Sequence, residues 1–155
     1  MTQVPNAGPF PPASDAMDAA YRTVEKALNR TTDALAGFET MVEKAEPAFR
    51  PVAERFRALH ARHAAALTRL LTEAGRTPDT DGTLMGTVNR AVVATRAFFD
   101  RIDSDVLTQV LRGEESVTDA YRAALDAPLS SPEHDVVTGL LTELQTLVAE
   151  TRALA

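Results

Sequence analysis

The amino-acid sequence predicts an all-α fold: a four-helix bundle, mostly antiparallel, with an additional short helix. Three observations lead to this prediction. Apolar residues recur at alternating spacings of three and four along most of the chain, as in amphipathic helices of a bundle. No useful length of chain alternates apolar and polar residues with the period of two typical of a strand. Two segments of about 28 to 32 residues would each span roughly 42 to 48 Å, the scale of a bundle.

The first predicted helix spans residues 14–45. Ser14 suits the N-cap, and Glu46 before Pro47 marks a stop because a residue that precedes proline avoids helical geometry. Thr31 fills the one gap in an otherwise apolar stripe. The apolar members of that stripe are Met17, Ala20, Val24, Leu28, Leu35, Phe38, Val42 and Ala45.

The second predicted helix spans residues 47–74 and ends at Gly75, a residue type favoured just after a helix because it readily adopts a positive φ. The segment 75–82 is rich in turn formers and predicts a loop. The stripe of the second helix consists of Phe49, Val52, Phe56, Leu59, His63, Leu67, Leu70 and Ala74.

Two shorter helices follow the loop. The third is predicted over about residues 82–102, and the fourth begins at residue 103 or 104 and is broken by Pro128 and the cluster 130–135. The stripe of the third helix is Leu84, Val88, Val92, Phe98, Phe99 and Ile102, and that of the fourth is Leu107, Val110, Val117, Tyr121 and Ala124.

The last predicted helix opens with a capping box that starts at Ser131 and includes Glu133, and Pro132 suits the first helical turn. Its apolar face is wider than one bundle seam requires, which makes this face the best candidate for self-association into a homodimer. The face comprises Val136, Val137, Leu140, Leu141, Leu144, Leu147 and Val148.

Composition limits the domain organisation and the class of protein. Residues 14–155 are long enough for one domain with a substantial core, whereas the proline-rich segment 1–13 predicts a disordered tail. The absence of cysteine excludes disulfides, thiolate metal sites and cysteine catalysis. A net charge of −6 argues against nucleic-acid binding. With no signal peptide and no membrane anchor in the sequence, a cytoplasmic location is expected.

Two histidines one turn apart raise the possibility of a metal site. His60 and His63 lie on one side of the second helix, and imidazole nitrogens at this spacing can supply two metal ligands. The acids that could complete the site are Glu39 on the first helix and Glu114 on the fourth. Glu114 is the more suggestive acid because it continues the apolar stripe four residues after Val110.

The structural alternative is that both histidines belong to an ordinary core. His63 would then hydrogen-bond a polar partner such as a threonine or Glu114, and His60 would lie at the margin of the stripe, half in water. No Glu-x-x-His occurs in the chain, and the inward stripe of the last helix holds no carboxylate before Glu150. A carboxylate-bridged di-iron centre would therefore lack about half of its ligands.

Two other groups of side chains have competing interpretations. Tyr21 and Tyr121 could be redox-active phenols, but packing with the hydroxyl at the edge of the core is the favoured interpretation. The arginine row, Arg55, Arg62 and Arg69, repeats every seven residues and could bind an acidic protein partner. The favoured interpretation is pairing with acids of the first helix. These acids are Glu25, Asp33, Glu39, Glu43 and Glu46.

Three segments together resemble the small bacterial ferritin-like bundles that are classed as a domain of unknown function. They are TVEKALNRTTDALAGFETM at 23–41, LTRLLTEAGRTPDTDGTLMGTVNR at 67–90 and RGEESVTDAYRAAL at 112–125. The resemblance covers about residues 20–152. It implies a ferritin-like fold, whose relatives often hold two irons, but no agreed activity for this branch.

Several positions depart from the acidic pattern that the resemblance implies. Leu35, Ala66 and Leu111 stand where relatives tend to carry acids, and Asn89 stands where they tend to carry a histidine. The favoured prediction is therefore a structural or protein-interaction module without a complete di-iron site, without catalytic residues and without a cofactor. The alternative is a non-haem iron or manganese protein that acts on oxygen or peroxide.

Overall fold

Four helices make up the part of the chain that the structure, a computed structural model, describes, namely residues 13–78 and 104–154. They are α1 (Ala13–Lys44), α2 (Arg50–Glu73), α3 (Ser104–Leu125) and α4 (Ser131–Arg152), and no strand occurs among the described residues. The all-α prediction is confirmed. The predicted third helix, about residues 82–102, and residues 1–12 of the predicted tail lie outside the described residues.

The helices form two hairpins that run side by side. The starts of α1 and α4 lie at the same end, because the Tyr21 hydroxyl donates to Glu133 Oε1 over 2.7 Å. The end of α2 lies there too, because Arg76 pairs with Asp18. Around the bundle the order is α1, α2, α4, α3, so every adjacent pair is antiparallel and the diagonal pairs are parallel. The chain leaves α2 at one end of the bundle and begins α3 at the opposite end.

The helix ends follow local sequence signals, with three corrections at the helix starts. The second helix begins at Arg50 rather than at residue 47, because Phe49 is its N-cap. Gly75 has a φ of 75°, and the backbone N–H of Arg76 donates to the Leu71 carbonyl over 2.9 Å, which forms the expected glycine C-cap. The capping box uses Ser130 rather than Ser131: the Ser130 N–H donates to Glu133 Oε2 over 2.9 Å. The predicted N-cap of the first helix, Ser14, lies inside α1, because the helix already begins at residue 13.

The predicted stripes form the core. Thr31 and nearly all of the apolar stripe residues of α1, α2 and α3 are buried or half-buried; the exception is Met17, which is 52% exposed in the first turn of α1. Phe98 and Phe99 lie outside the described residues. The fully buried side chains of the core include Val24, Phe56, Leu67, Leu71, Val137 and Leu144.

The bundle itself uses most of the wide apolar face of α4. Val137, Leu140, Leu144 and Leu147 are buried between the helices, and only Val136 of the predicted face is exposed, at 39%. Self-association through the whole face therefore has little apolar surface left to bury. None of the described helices is both long and apolar enough to cross a membrane.

Candidate functional site

Polar side chains from all four helices meet in the middle of the apolar core. We call this set the polar network. Five of its members are almost completely buried and the sixth, from α4, reaches in from the surface. The members are Thr31 on α1, His60 and His63 on α2, Glu114 and Tyr121 on α3, and Glu143 on α4.

The first part of the polar network is a histidine–carboxylate pair across the diagonal of the bundle. His60 Nε2 lies 3.0 and 3.2 Å from the two carboxylate oxygens of Glu114. His60 is fully buried and Glu114 is 2% exposed. A buried carboxylate is costly without donors, and the Nε2–H supplies one across the core. The pair therefore links α2 to α3, two helices that are not neighbours in the bundle.

The second part is a chain of hydrogen bonds around His63. His63 Nε2 lies 3.2 Å from Glu143 Oε2, His63 Nδ1 lies 3.0 Å from the Tyr121 hydroxyl, and that hydroxyl lies 2.8 Å from Thr31 Oγ1. An ionised carboxylate can only accept, so His63 carries its proton on Nε2 and, when neutral, accepts from the Tyr121 O–H at Nδ1. The Glu143 carboxylate thus fixes which atoms donate and which accept in the hydrogen bonds from Glu143 through His63 to Tyr121.

The surroundings favour the neutral forms of the two central groups. Burial lowers the pKa of His63 to about 4, against the opposing effect of its hydrogen bond with Glu143. Burial also raises the pKa of Tyr121. The hydrogen bond from His63 is the main cause that lowers the pKa of Glu143, which is 54% exposed and therefore stays ionised at low solvation cost. Around His63, the charge therefore lies on the half-exposed Glu143, and the buried His63 and Tyr121 are neutral.

Aromatic rings continue the polar network along the core. The rings of Phe38 and Phe56 are stacked with centroids 4.9 Å apart, and the ring of His60 lies 5.6 Å from that of Phe38. The rings of His63 and Tyr121 are 5.9 Å apart. The stacking restricts the orientation of the imidazole rings, so the hydrogen bonds form without a large further loss of side-chain freedom.

One atom of the network is unsatisfied. His60 Nδ1 is buried and has no hydrogen-bond partner among the described residues. An unpaired buried nitrogen of this kind needs a physical explanation. Either the core tolerates an unpaired atom at some cost in stability, or a further group reaches it.

A metal ion is the further group that the ferritin-like resemblance implies. Adjacent ligands on an octahedral metal with bonds of about 2.1 Å are about 3.0 Å apart, so the spacing between His60 Nε2 and Glu114 suits two ligands of one ion. Within residues 13–78 and 104–154, however, no group of three or more histidines and acids could hold a metal. The described side chains therefore do not fit a carboxylate-bridged pair of irons.

The four residues predicted as metal ligands do not all meet. His60 and Glu114 are in contact, and His63 lies one turn away, with its ring centroid 6.4 Å from that of His60. Glu39 is exposed on α1, away from the core. Three of the four candidates thus belong to the polar network and the fourth does not.

The structural interpretation of the histidines also needs correction. His60 is fully buried rather than half in water. Its helix lies between α1 and α4, and at this position the side chain points across the core towards Glu114 of α3. His63 contacts Tyr121 and Glu143, not a threonine or Glu114. The Tyr121 hydroxyl lies in the middle of the core rather than at its edge.

Sequence reasoning missed Glu143 and the role of Thr31. Glu143 stands beside Leu144, at the margin of the stripe of α4, and a glutamate there is long enough to reach His63. Thr31 was visible as the only polar residue in the stripe of the first helix. A polar residue at a seam position signals a buried hydrogen-bond partner on another helix.

The arginine row pairs with α4 rather than with the acids of the first helix. Arg55 pairs with Glu150, and Arg62 lies 3.4 Å from Glu143. The prediction named the wrong helix because the row lies on the side of α2 that faces α4. All four of these side chains are at least half exposed, so each pair contributes little to stability.

Stability is expected to fall as the pH drops through the window set by His63. Its pKa is about 4 in the folded protein and about 6.5 in the unfolded chain. Between these values the unfolded chain binds a proton that the folded protein does not, so acid favours unfolding there. We expect the free energy of unfolding from urea titrations to be lower at about pH 5 than at pH 7.5 by about 1–2 kcal/mol.

The control for this pH dependence is His63→Gln, which removes the titrating group. The difference in stability between the two pH values should shrink in the variant. Equal stability of the wild type at the two pH values, or the same difference in the variant, would show that His63 is not held neutral by burial.

Comparisons with known proteins identify a family but no activity. A family model described as "Domain of unknown function (DUF2383)" matches residues 19–127. This match includes all of α2 and α3 and most of α1, and with them every member of the polar network except Glu143. No curated protein and no solved structure gives a significant match.

Proposed function

The chain belongs to the DUF2383 family, whose description assigns no activity, and we propose from the site that it is a structural or protein-interaction module rather than an enzyme. In this proposal the polar network holds four helices in one arrangement and does not hold a metal. The protein would act through its surface, with the core as a rigid support.

The mutual hydrogen bonding of the polar network, in which His60 Nδ1 is the only buried side-chain nitrogen or oxygen without a partner among the described residues, is the observation that supports the proposal. Both nitrogens of His63 have partners, on Tyr121 and on Glu143, and both oxygens of Glu114 face His60. The atoms that would bind a metal are thus engaged with one another. Buried polar contacts between specific helices favour one pairing of helices over others, because every wrong pairing leaves polar atoms unsatisfied.

We further infer that the bundle is ferritin-like. Its support is the order of the helices: two antiparallel hairpins are joined by one connection whose ends lie at opposite ends of the bundle. One long crossover connection between two hairpins is the arrangement of ferritin-like folds. The resemblance of the sequence to small ferritin-like bundles supports the same inference.

The second candidate function is a non-haem iron or manganese protein. Its support is the spacing between His60 Nε2 and the Glu114 carboxylate, which suits two ligands of one ion. In addition, Glu114 is one of the residues that line a surface groove of about 500 Å³ between α3 and α4. His60 and Glu114 would be two of the ligands, and His63 and Glu143 would have to leave their present hydrogen bonds to complete the site. The metal would supply oxygen or peroxide chemistry when bound.

Metal analysis separates the two functions. The protein would be purified from cells grown with added iron and manganese, and its metal content measured alongside those of His60→Ala, His63→Ala and the control His134→Ala, which alters the exposed third histidine. The proposal predicts fewer than about one metal ion per ten chains in all four proteins.

A different result supports the second candidate. About one or two ions per chain in the wild type and in His134→Ala, with loss of the metal in both core variants, would contradict the structural proposal. The comparison with His134→Ala separates specific from adventitious binding. Metal bound adventitiously at the exposed His134 would be lost in His134→Ala and kept in the two core variants.

A further inference from the structure

The side-by-side surfaces of α2 and α4 carry two rows of opposite charge. We call this surface the α2–α4 face. Because α2 and α4 are antiparallel and both rows repeat every seven residues, their members lie in rungs. The rungs are Arg55 with Glu150, Arg62 with Glu143, and Arg69 with Val136.

The charge of the two helices differs sharply from that of the rest of the protein. α2 contains five arginines and two glutamates, for a net charge of +3, whereas α4 contains four acids and one arginine, for a net charge of −3. The whole chain carries −6. Along its rungs the α2–α4 face has three arginines on α2 and two glutamates on α4, so its basic residues lie on one helix and its acidic residues on the other.

Much of this charge remains available to another molecule. Arg62 is 64% exposed and Glu143 is 54% exposed, although they pair with each other. Arg69 makes no ion pair within residues 13–78 and 104–154. Opposite it, Val136 is one of three large apolar side chains exposed among the described residues. In the third rung, Arg69 therefore has no ion-pair partner among the described residues, and the side chain of Val136 is exposed to solvent.

We propose that the α2–α4 face is the interface of a homodimer, in which the arginine row of each protomer lies against α4 of its partner. This proposal deepens the proposed interaction function by naming the partner, a second copy of the chain. A surface with a basic row beside an acidic row is self-complementary: a two-fold axis parallel to the helices places α2 of one protomer over α4 of the other. Arg55 then faces Glu150 of the other protomer, and Arg62 faces Glu143.

The shape of the face allows this approach. Between the rows runs a groove of about 480 Å³, whose rim has small side chains such as Ala58, Thr142 and Thr146 and whose lining includes Leu59 and Leu147. Small residues let two helical surfaces come close. The alternative two-fold axis, perpendicular to the helices, would place α2 on α2 and bring the arginine rows together, so charge selects the parallel axis.

A charge-swap experiment tests the interface. Arg55 and Glu150 are suitable because they lie outside the polar network. Arg55→Glu alone would place acid against acid at two symmetric contacts, and Glu150→Arg alone would place base against base. An equimolar mixture of the two variants restores opposite charges at both contacts. Arg57→Glu is the matched control, because Arg57 lies about 200° around the helix from Arg55 and away from the face.

Sedimentation equilibrium at about 0.1 mM protein and low salt is the measurement. We expect the wild type and Arg57→Glu to have an average mass near twice the 16.7 kDa of the chain. Each swap variant alone should associate at least about tenfold more weakly, and the mixture should recover dimers. A monomeric wild type, or a mixture as dissociated as its components, would overturn the proposal.

The failure of this interface would be distinct from failure of the proposed function. Oligomeric state depends on the α2–α4 face, whereas metal content depends on the buried histidines and acids. A monomer without metal would overturn the homodimer and leave the structural function standing. A dimer that holds about one metal per chain would support the homodimer and contradict the structural function.

Discussion

Glu114→Met is expected to lower the free energy of unfolding by about 2–4 kcal/mol. Methionine fills a similar volume but cannot accept the hydrogen bond from His60 Nε2, and His60 would then have no partner at either nitrogen. The cost is that of an unsatisfied polar ring in a site with no access to water. Urea titration followed by circular dichroism, in the presence of a chelator, measures the change.

The paired replacement gives the sharper test. His60→Leu alone leaves the Glu114 carboxylate buried without its donor and should also be strongly destabilised. The double variant His60→Leu/Glu114→Met removes both polar groups, and we expect it to lie within about 1 kcal/mol of the wild type. Glu115→Met, at the exposed neighbouring position, is the control and should change stability by less than about 0.5 kcal/mol. A double variant as unstable as the two changes added together would show that the two side chains do not act as a pair.

Phe56→Ala is expected to destabilise the bundle by about 3–5 kcal/mol. Phe56 is fully buried and stacks on Phe38 with a ring separation of 4.9 Å. Its removal also leaves the ring of His60 without one of its two phenylalanine neighbours. The loss combines the transfer of a large apolar side chain with the cavity that remains.

The matched control for this change is Met17→Ala, which truncates a large side chain that is 52% exposed in the first turn of α1. We expect an effect below about 0.5 kcal/mol there. The midpoint of urea unfolding reports both variants. A loss of less than about 1 kcal/mol in Phe56→Ala would contradict the central position of the aromatic stack.

The periodicity of the sequence was sufficient to predict the four described helices and most of their buried residues. Burial in a bundle follows the 3–4 spacing directly, so residues such as Leu67 and Val117 could be assigned to the core without knowing their neighbours. The one-residue error at the start of the last helix has a local cause. Two adjacent serines precede Pro132, and either can be read as the N-cap when only the spacing to an acid is considered.

The polar network could be predicted only in part, because its contacts depend on which helices lie opposite each other. The pairing of His60 with Glu114 needs α2 and α3 to be diagonal neighbours, and the order of helices around the bundle does not follow from periodicity. For the same reason, the arginine row was predicted to pair with acids of the first helix, whereas Arg55 and Arg62 pair with Glu150 and Glu143. Glu143 was missed for a second reason, since a long side chain at the margin of a stripe can reach a buried partner from a half-exposed position.

The polar network explains why a bundle of this size would retain hydrogen-bonding groups in its core. A purely apolar core packs against many alternative partners, whereas Thr31, His63 and Tyr121 satisfy one another only when α1, α2 and α3 are correctly placed. The unpaired His60 Nδ1 is the one cost that the described contacts do not offset. In the proposed function the network therefore favours one arrangement of the helices and does not serve as a metal centre.

The ¹⁵N chemical shifts of the imidazole nitrogens test this account most directly, measured on the chelator-treated protein before and after addition of one equivalent of zinc. Zinc is diamagnetic and binds nitrogen and oxygen sites at least as tightly as iron(II) or manganese(II). The account predicts that His63 is a neutral ring protonated at Nε2 at neutral pH and that neither buried histidine responds to the metal. A shift of His60 or His63 nitrogens to metal-bound values at one equivalent would contradict it.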